Sequence, residues 1–208
     1  MRPGIINLLH DAKKRDRFVE VLTSGRCAGG PIPEMLIKQC KGLVNNMVFS
    51  MYGNDETHFR VNRQVEGYAC MDPSVETTIE QRIPFSFVFV AMQPSLAGLE
   101  DAFKYVSQRN VDFCTPVLNV FRYIHQGNGV NPECRLALTE DEIKRVRDDC
   151  LRLAETYHVK LALGCSLAEE GCNAGIEKMV VTYTGQRFPC SALKFSELSG
   201  QFACSERW

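Results

Sequence analysis

The feature that most constrains the fold is a regular alternation of helix and strand patterns along residues 1–163. Five predicted helices cover residues 7–17, 32–42, 72–82, 96–110 and 139–158, and the strands that follow them cover residues 18–25, 46–53, 84–92, 111–124 and 159–164. The last helix begins with a capping box, from Thr139 to Glu142. Five helix–strand pairs in succession predict an α/β fold with parallel strands covered by helices.

Two segments carry more specific expectations. Residues 84–92 are apolar except for Ser86, as in a strand that is buried on both faces. The segment "NDETHFRVN" at residues 54–62 is polar and is predicted to be a loop, with His58 as a surface or capping residue.

The chain changes character after Gly164. Residues 164–208 hold four cysteines among glycines and prolines, and one plausible hairpin, "KMVVTYTGQRFP", which turns at Thr184–Gly185. A segment this small buries little apolar surface and usually needs a metal or crosslinks to hold one shape. We therefore predict two domains, residues 1–163 and residues 164–208.

Charge and hydrophobic patterning exclude several classes of function. The formal net charge is −1, so there is no basic excess of the kind that marks a nucleic-acid-binding protein. No segment approaches the roughly 20 apolar residues that span a bilayer, and no membrane association is expected. The sequence thus favours a cytoplasmic protein, in which the ten cysteines are core residues, metal ligands or nucleophiles rather than a disulfide framework.

The cysteines fall into three groups. Three lie within predicted helices or strands and are expected to be small buried side chains: Cys40, Cys114 and Cys150. Three lie in predicted loops and are expected to be plain thiols, with a role in a distant cluster or at the substrate as the alternative: Cys27, Cys70 and Cys134. The tail brings three thiols to one end of its hairpin: Cys165, Cys172 and Cys190. Three soft ligands of this kind suit an iron–sulfur cluster or zinc.

The spacing Cys172-x12-Gly185-x4-Cys190 resembles the opening signature of the SPASM and twitch extensions of radical S-adenosylmethionine (SAM) enzymes. Three earlier segments are similar to barrel strands of the same family: "FVEVLTSG" to the third strand, "MVFSMYGNDETHFRVN" to the fourth, and "VLNVFRYIHQGNG" to the sixth. The resemblance covers almost the whole chain and implies a partial parallel (β/α) barrel of radical SAM type, followed by a small cysteine-rich hairpin domain.

The resemblance also implies site residues. Ser50 would contact the ribose or carboxylate of SAM, or would only hydrogen-bond to the loop at the end of its strand, and Thr23 and Ser24 have the same two alternatives on the third strand. Arg122, at the end of what is predicted to be a buried strand, would contact cofactor or substrate, or form a structural salt bridge. His125 follows it toward the same barrel mouth. In the tail, Cys165, Cys172, Cys190 and Cys204 would hold an auxiliary [4Fe–4S] cluster, with a zinc site as the alternative.

The family pattern is incomplete in this chain. Radical SAM enzymes hold their catalytic [4Fe–4S] cluster with a Cys-x3-Cys-x2-Cys loop, and no such spacing occurs here; the glycine-rich motif of the second strand is also missing. The chain therefore resembles the carboxyl-terminal two thirds of such an enzyme, and we expect SAM to bind as a cofactor only when a separately encoded or missing amino-terminal part completes the barrel.

Two classes of function remain open. In the first, the chain is part of an enzyme that converts SAM to a 5′-deoxyadenosyl radical and modifies a side chain of a peptide or protein substrate. In the second, it is not catalytic and acts as a peptide- or protein-binding module that carries an iron–sulfur cluster or zinc.

Overall fold

The computed structural model describes residues 4–27, 30–62, 66–123, 136–164, 167, 179–181 and 185–188. The helices are α1 (Ile5–Lys14), α2 (Glu34–Cys40), α3 (Asp55–Asn62), α4 (Gly67–Glu80), α5 (Leu99–Ser107) and α6 (Glu140–Tyr157), with a 3₁₀ helix at Gln93–Gly98. The strands are β1 (Glu20–Thr23), β2 (Arg26–Cys27), β3 (Gly30–Pro31), β4 (Asn46–Ser50), β5 (Phe85–Ala91), β6 (Val117–Arg122), β7 (Lys160–Leu163), β8 (Val180–Val181) and β9 (Arg187–Phe188).

Five strands form one parallel sheet in the order β1-β4-β5-β6-β7. Each of these strands lies beside the one that follows it in the main sheet, and the connections between them carry helices. Right-handed crossovers between consecutive parallel strands place all their helices on one face, which is the arrangement of a barrel rather than of a doubly wound sheet. All five predicted helix–strand pairs are present, so the predicted partial barrel is confirmed.

One face of the sheet packs against the helices. Alternate residues of the central strands are buried there: Met47, Phe49, Phe85, Phe87, Phe89, Leu118 and Val120. Fully burying an aromatic or aliphatic side chain of this size contributes roughly 1.5–3 kcal/mol, so this helix-covered face supplies most of the core. On the other face Val88 and Val90 are only half-buried, so β5 is not enclosed on both sides as its apolar sequence predicts.

The segment after β4 is a helix, and the prediction of a polar loop at residues 54–62 was wrong. Asn54 begins α3, because its side-chain Oδ1 accepts a hydrogen bond from the Thr57 amide at 2.9 Å. The acidic residues Asp55 and Glu56 lie in the first turn, where the helix dipole favours negative charge. The polar composition reflects capping, and the burial of Thr57 and His58 comes from tertiary contacts that composition does not reveal.

Two cysteines were also misplaced. Cys70 lies buried within α4 rather than in a loop. Cys114 precedes β6, in a turn where it pairs with Val111, because Pro116 lacks the amide hydrogen that a central strand needs and β6 begins one residue later. The buried helical positions expected for Cys40 and Cys150 are confirmed.

Two short antiparallel hairpins accompany the main sheet. One joins β2 to β3, and it contains Cys27. The other joins β8 to β9 with Val180 opposite Phe188, and Gly185 in its connection has a φ of +83°, which favours glycine. The hairpin predicted in the tail is therefore confirmed in its described residues. Within the described part of the chain, no helix is both long and apolar enough to cross a bilayer.

Candidate functional site

The carboxyl ends of the five parallel strands lie along one edge of the sheet, called here the carboxyl edge. The last residues of these strands are Thr23, Ser50, Ala91, Arg122 and Leu163. In barrels of parallel strands this edge carries the chemistry. The four predicted cofactor-binding residues lie at this edge, but they do not all lie on the same face of the sheet.

Ser50 lies on the face opposite the helices, called here the open face. It is half-buried, it shares this face with Val48 and Asn46, and it stands opposite Val88 of β5. Val88 in turn stands opposite Asn119 of β6. The Ser50 hydroxyl and the Asn119 amide therefore lie in one row across three strands, with an apolar side chain between them.

Thr23 has a local structural role in addition to its position at the edge. Its partner in the ladder is Phe49, so strand alternation places it on the helix-covered face. Its Oγ1 accepts a hydrogen bond from the Gly25 amide at 3.1 Å, which caps the turn after β1. Gly25 has a φ of +74°, and a Cβ at that position would lie 2.8 Å from Met71 Cα. Ser24, between them, is half-buried.

Arg122 stands opposite Ala91, so alternation gives it the same face as Leu118 and Val120. It is exposed, as is Phe121 before it, whereas the strand end was expected to be buried. Burial therefore does not force this guanidinium to find a partner. Its proposed contact with cofactor or substrate stays a prediction, as do the contacts of Thr23, Ser24 and Ser50.

The open face contains a depression of about 280 Å³. Four polar and four apolar side chains line it: Glu20, Asn46, Ser86, Asn119, Val48, Val88, Val117 and Phe121. Asn46 Nδ2 donates to Glu20 Oε1 at 2.7 Å and to Ser86 Oγ at 2.9 Å, and Asn119 Nδ2 donates to the Phe87 carbonyl at 3.1 Å. These hydrogen bonds fix the side-chain orientations across β1, β4, β5 and β6.

Phe121 covers one end of this depression. It stands next to Gly164, and a Cβ at Gly164 would lie 2.1 Å from Phe121 Cδ1. The glycine at the end of β7 is therefore required for the position that the Phe121 ring takes at the carboxyl edge.

His58 of α3 lies beneath the loop that follows Ser50. Only 2% of its surface is exposed, and its Nε2 accepts a hydrogen bond from the Tyr52 amide at 3.0 Å. Its ring packs between Tyr52 and Tyr68, with centroid distances of 5.4 and 6.2 Å. A Cβ at Gly67 would lie 3.0 Å from His58 Nδ1, so α4 approaches the ring closely at a glycine.

This environment keeps the imidazole of His58 neutral. Burial lowers its pKa from 6.5 to about 4; the Asp55 carboxylate opposes this effect and the Arg26 guanidinium adds to it. Because Nε2 accepts a backbone hydrogen bond, the single ring proton is assigned to Nδ1. His58 was expected at the surface, so both its burial and its proximity to the carboxyl edge were missed.

The predicted metal ligands Cys165, Cys172, Cys190 and Cys204 lie outside the described residues, as do Cys134 and His125. Among the described residues no group of three or more histidine, cysteine, aspartate or glutamate side chains could hold a metal ion. The auxiliary cluster therefore stays a prediction from the sequence.

Sequence reasoning also missed the polar residues of the open face. Asn46, Ser86 and Asn119 are polar residues within largely apolar strands. A polar side chain inside a buried strand needs a hydrogen-bonding partner or a ligand, and that signal was available in the sequence.

Comparison with solved structures identifies the fold. SuiB of Streptococcus suis bound to SAM superposes with a TM-score of 0.73 at 13% identity, over 94% of this chain and 47% of SuiB. SuiB bound to the precursor peptide SuiA superposes with a TM-score of 0.71 at 13% identity, over 97% of this chain and 51% of SuiB. A domain of a pyruvate-formate lyase-activating enzyme from Bacteroides vulgatus gives a TM-score of 0.56 at 10% identity, over 77% of this chain and 89% of that domain.

These similarities confirm the predicted fold class, a partial parallel (β/α) barrel of radical SAM type with a small hairpin after it. The chain spans about half the length of SuiB. At identities of 10–14% the comparison establishes a shared fold. The sequence matches no model of a known protein family and no curated protein.

Proposed function

We propose that this chain forms the cofactor- and substrate-facing part of a radical SAM enzyme that modifies a side chain of a peptide or protein. The observation that carries this proposal is the fold shared with SuiB over 94–97% of the chain, because SuiB has been crystallised both with SAM and with a precursor peptide. In this proposal the carboxyl edge and the open face are the parts of the fold that would face a ligand.

The side chains present suit SAM, which offers an ammonium, a carboxylate, two ribose hydroxyls and an adenine ring. The Ser50 hydroxyl at the carboxyl edge can donate and accept hydrogen bonds, and the Asn119 amide adds a polar group in the same row. Val88 lies between Ser50 and Asn119 in this row, and Val48 precedes Ser50 on the same face of β4, so both offer apolar surface beside these polar groups. Once bound and cleaved by a one-electron reduction, SAM would supply the group that abstracts a hydrogen atom from the substrate. The residues of this chain would orient it and exclude water.

The tail is proposed to carry an auxiliary [4Fe–4S] cluster on Cys165, Cys172, Cys190 and Cys204. Four thiolates are the usual ligand set of such a cluster, and a reducing cytoplasm would keep them available. The spacing of Cys172, Gly185 and Cys190 supports this assignment, as does the positive φ of Gly185 in the hairpin connection.

Metal analysis tests the cluster. We expect anaerobically purified protein to contain about four iron and four sulfide ions per chain, and Cys172→Ala to lose most of both. Cys27→Ala is the matched control, since Cys27 lies in the β2–β3 hairpin and should leave the content unchanged. Stoichiometric zinc without labile sulfide in the wild-type protein would contradict an iron–sulfur cluster and favour the zinc alternative.

Catalysis is proposed to need residues beyond these 208, because the sequence contains no Cys-x3-Cys-x2-Cys spacing. We expect the purified 208-residue chain, reconstituted anaerobically with iron, sulfide, SAM and a strong reductant, to form no 5′-deoxyadenosine. Formation of this product above a SAM-free control would show that the chain is catalytic by itself.

The same missing motif favours a second candidate, a non-catalytic module that binds a peptide or protein through its open face or its tail. Coexpression with a polypeptide that supplies the amino-terminal strands and the three-cysteine loop distinguishes the two. SAM cleavage by the assembled pair supports the enzyme, whereas peptide binding without cleavage supports the module.

A further inference from the structure

The loop that leaves Ser50 is held by unusually close contacts. Gly53 has a φ of +89°, and a Cβ at this position would lie 2.1 Å from the Gly98 carbonyl oxygen. In the other direction, a Cβ at Gly98 would lie 1.9 Å from the Tyr52 carbonyl oxygen. The backbone of residues 52–53 is thus pressed against the end of the 3₁₀ helix. The Tyr52 amide belongs to the same segment, and it donates the hydrogen bond that His58 Nε2 accepts.

Among the described residues, His58 is the only side chain seen to accept a hydrogen bond from the Tyr52 amide. This amide is two residues beyond Ser50 along the backbone. The imidazole is itself fixed by its position on α3, whose first turn is capped by Asn54, and by Tyr68 on its far side. A backbone amide that is buried just after a strand end destabilises the fold if it lacks an acceptor. Removal of the acceptor would therefore favour a rearrangement of the Ser50–Gly53 segment.

We propose that His58 is a positioning residue of the carboxyl edge: through its bond to the Tyr52 amide it holds the Ser50–Gly53 segment in the conformation that presents the Ser50 hydroxyl to SAM. This inference rests on the proposed function of Ser50. His58 itself does not touch the ligand, because it lies beneath the loop on the helix side and is buried.

Three substitutions separate the hydrogen-bond acceptor from the packing of the ring. His58→Gln keeps an acceptor at about the distance of Nε2 from the backbone. His58→Asn keeps an acceptor on a side chain one methylene shorter, which does not reach Tyr52. His58→Phe keeps an aromatic ring between Tyr52 and Tyr68 and has no acceptor.

The first measurement needs no ligand. Hydrogen exchange of the Tyr52 amide should be about tenfold faster in His58→Phe and His58→Asn than in the wild-type chain, and within about threefold of wild type in His58→Gln. If His58→Phe does not fold, the comparison of His58→Gln with His58→Asn tests the same point. Unchanged exchange at Tyr52 in the variants without an acceptor would overturn the inference.

The second measurement is an anaerobic calorimetric titration with SAM of this chain assembled with the coexpressed polypeptide that supplies the amino-terminal strands and the three-cysteine loop. We expect wild type and His58→Gln to bind with similar dissociation constants, and His58→Phe to bind about tenfold more weakly. Equal weakening in His58→Gln and His58→Phe would assign the effect to ring packing and overturn the proposal. If the assembled wild-type pair does not bind SAM, the proposed function fails, and the exchange data still decide whether His58 holds the loop.

Discussion

The contact between Gly53 and Gly98 provides the sharpest test of the geometry at the carboxyl edge. Replacement of Gly53 by alanine introduces two separate penalties. The residue would adopt a φ of +89°, and its Cβ would be placed 2.1 Å from a backbone carbonyl oxygen that cannot move without the 3₁₀ helix. We expect Gly53→Ala to be among the most destabilising alanine substitutions at a glycine in this chain.

Two other glycines isolate the two penalties. Gly42 has a φ of +74° and no atom within 4 Å of the position of a Cβ, so Gly42→Ala introduces backbone strain alone. Gly98 has a φ of −96°, which alanine adopts readily, but its Cβ would lie 1.9 Å from the Tyr52 carbonyl oxygen. Gly98→Ala therefore introduces the steric clash alone.

The magnitudes follow from these geometries. Left-handed backbone costs a residue with a Cβ about 1–2 kcal/mol. Forcing extra atoms into a packed region costs typically about 1–3 kcal/mol. We therefore expect losses in the free energy of unfolding of about 1 kcal/mol for Gly42→Ala, about 1–3 kcal/mol for Gly98→Ala and about 2–5 kcal/mol for Gly53→Ala.

Urea unfolding followed by far-ultraviolet circular dichroism measures these differences, with the midpoint compared at constant slope. If Gly53→Ala costs no more than Gly42→Ala, and Gly98→Ala is neutral, then residues 52–53 do not press against the 3₁₀ helix. The loop after Ser50 would then not be held in place by this contact.

Three further predictions concern charge and thiol chemistry. Because folding lowers the pKa of His58 to about 4, the neutral imidazole contributes roughly 3 kcal/mol to the free energy of unfolding above pH 6.5, and this contribution is lost as the pH falls toward 4. Urea midpoints measured across this range should therefore fall in the wild-type protein and fall less steeply in His58→Gln. Asp72→Ala, which removes the partner of Tyr105 and Arg109, should lower the free energy of unfolding by about 2 kcal/mol in the same assay, whereas Lys38→Ala, which breaks an exposed pair, should leave the urea midpoint unchanged within error. Burial raises the pKa of Cys150 to about 12, so mass spectrometry should find this thiol unmodified by iodoacetamide in the native protein and alkylated after unfolding in urea.

The alternation of helix and strand was readable from the sequence because each element satisfies its own local pattern. The apolar run at residues 84–92 and the Thr139–Glu142 capping box both lie where they were predicted, and all five strands pair in parallel. The approximate location of the carboxyl edge followed from this, since parallel strands place their ends together. The proposed role of Ser50 in cofactor binding came instead from a resemblance that covers its strand.

The misjudged residues depend on contacts between distant parts of the chain. The polar composition of residues 54–62 suits a loop as well as it suits a helix. These residues form α3 because Asn54 caps the helix and because His58 packs between Tyr52 and Tyr68. The distinction between Ser50 on the open face and Arg122 on the other face depends on register, in which a shift of one residue exchanges the faces.

The sequence by itself determined the order of the elements, the parallel sheet and the cysteine spacing of the tail, because these depend on local periodicity and on short-range turn chemistry. Only the tertiary structure decided that a histidine is buried and neutral beneath the Ser50 loop, and that two glycines bring the loop and the 3₁₀ helix into contact. Burial and close approach depend on which surfaces meet, and no pattern along the chain records the distance between residues that are far apart in sequence.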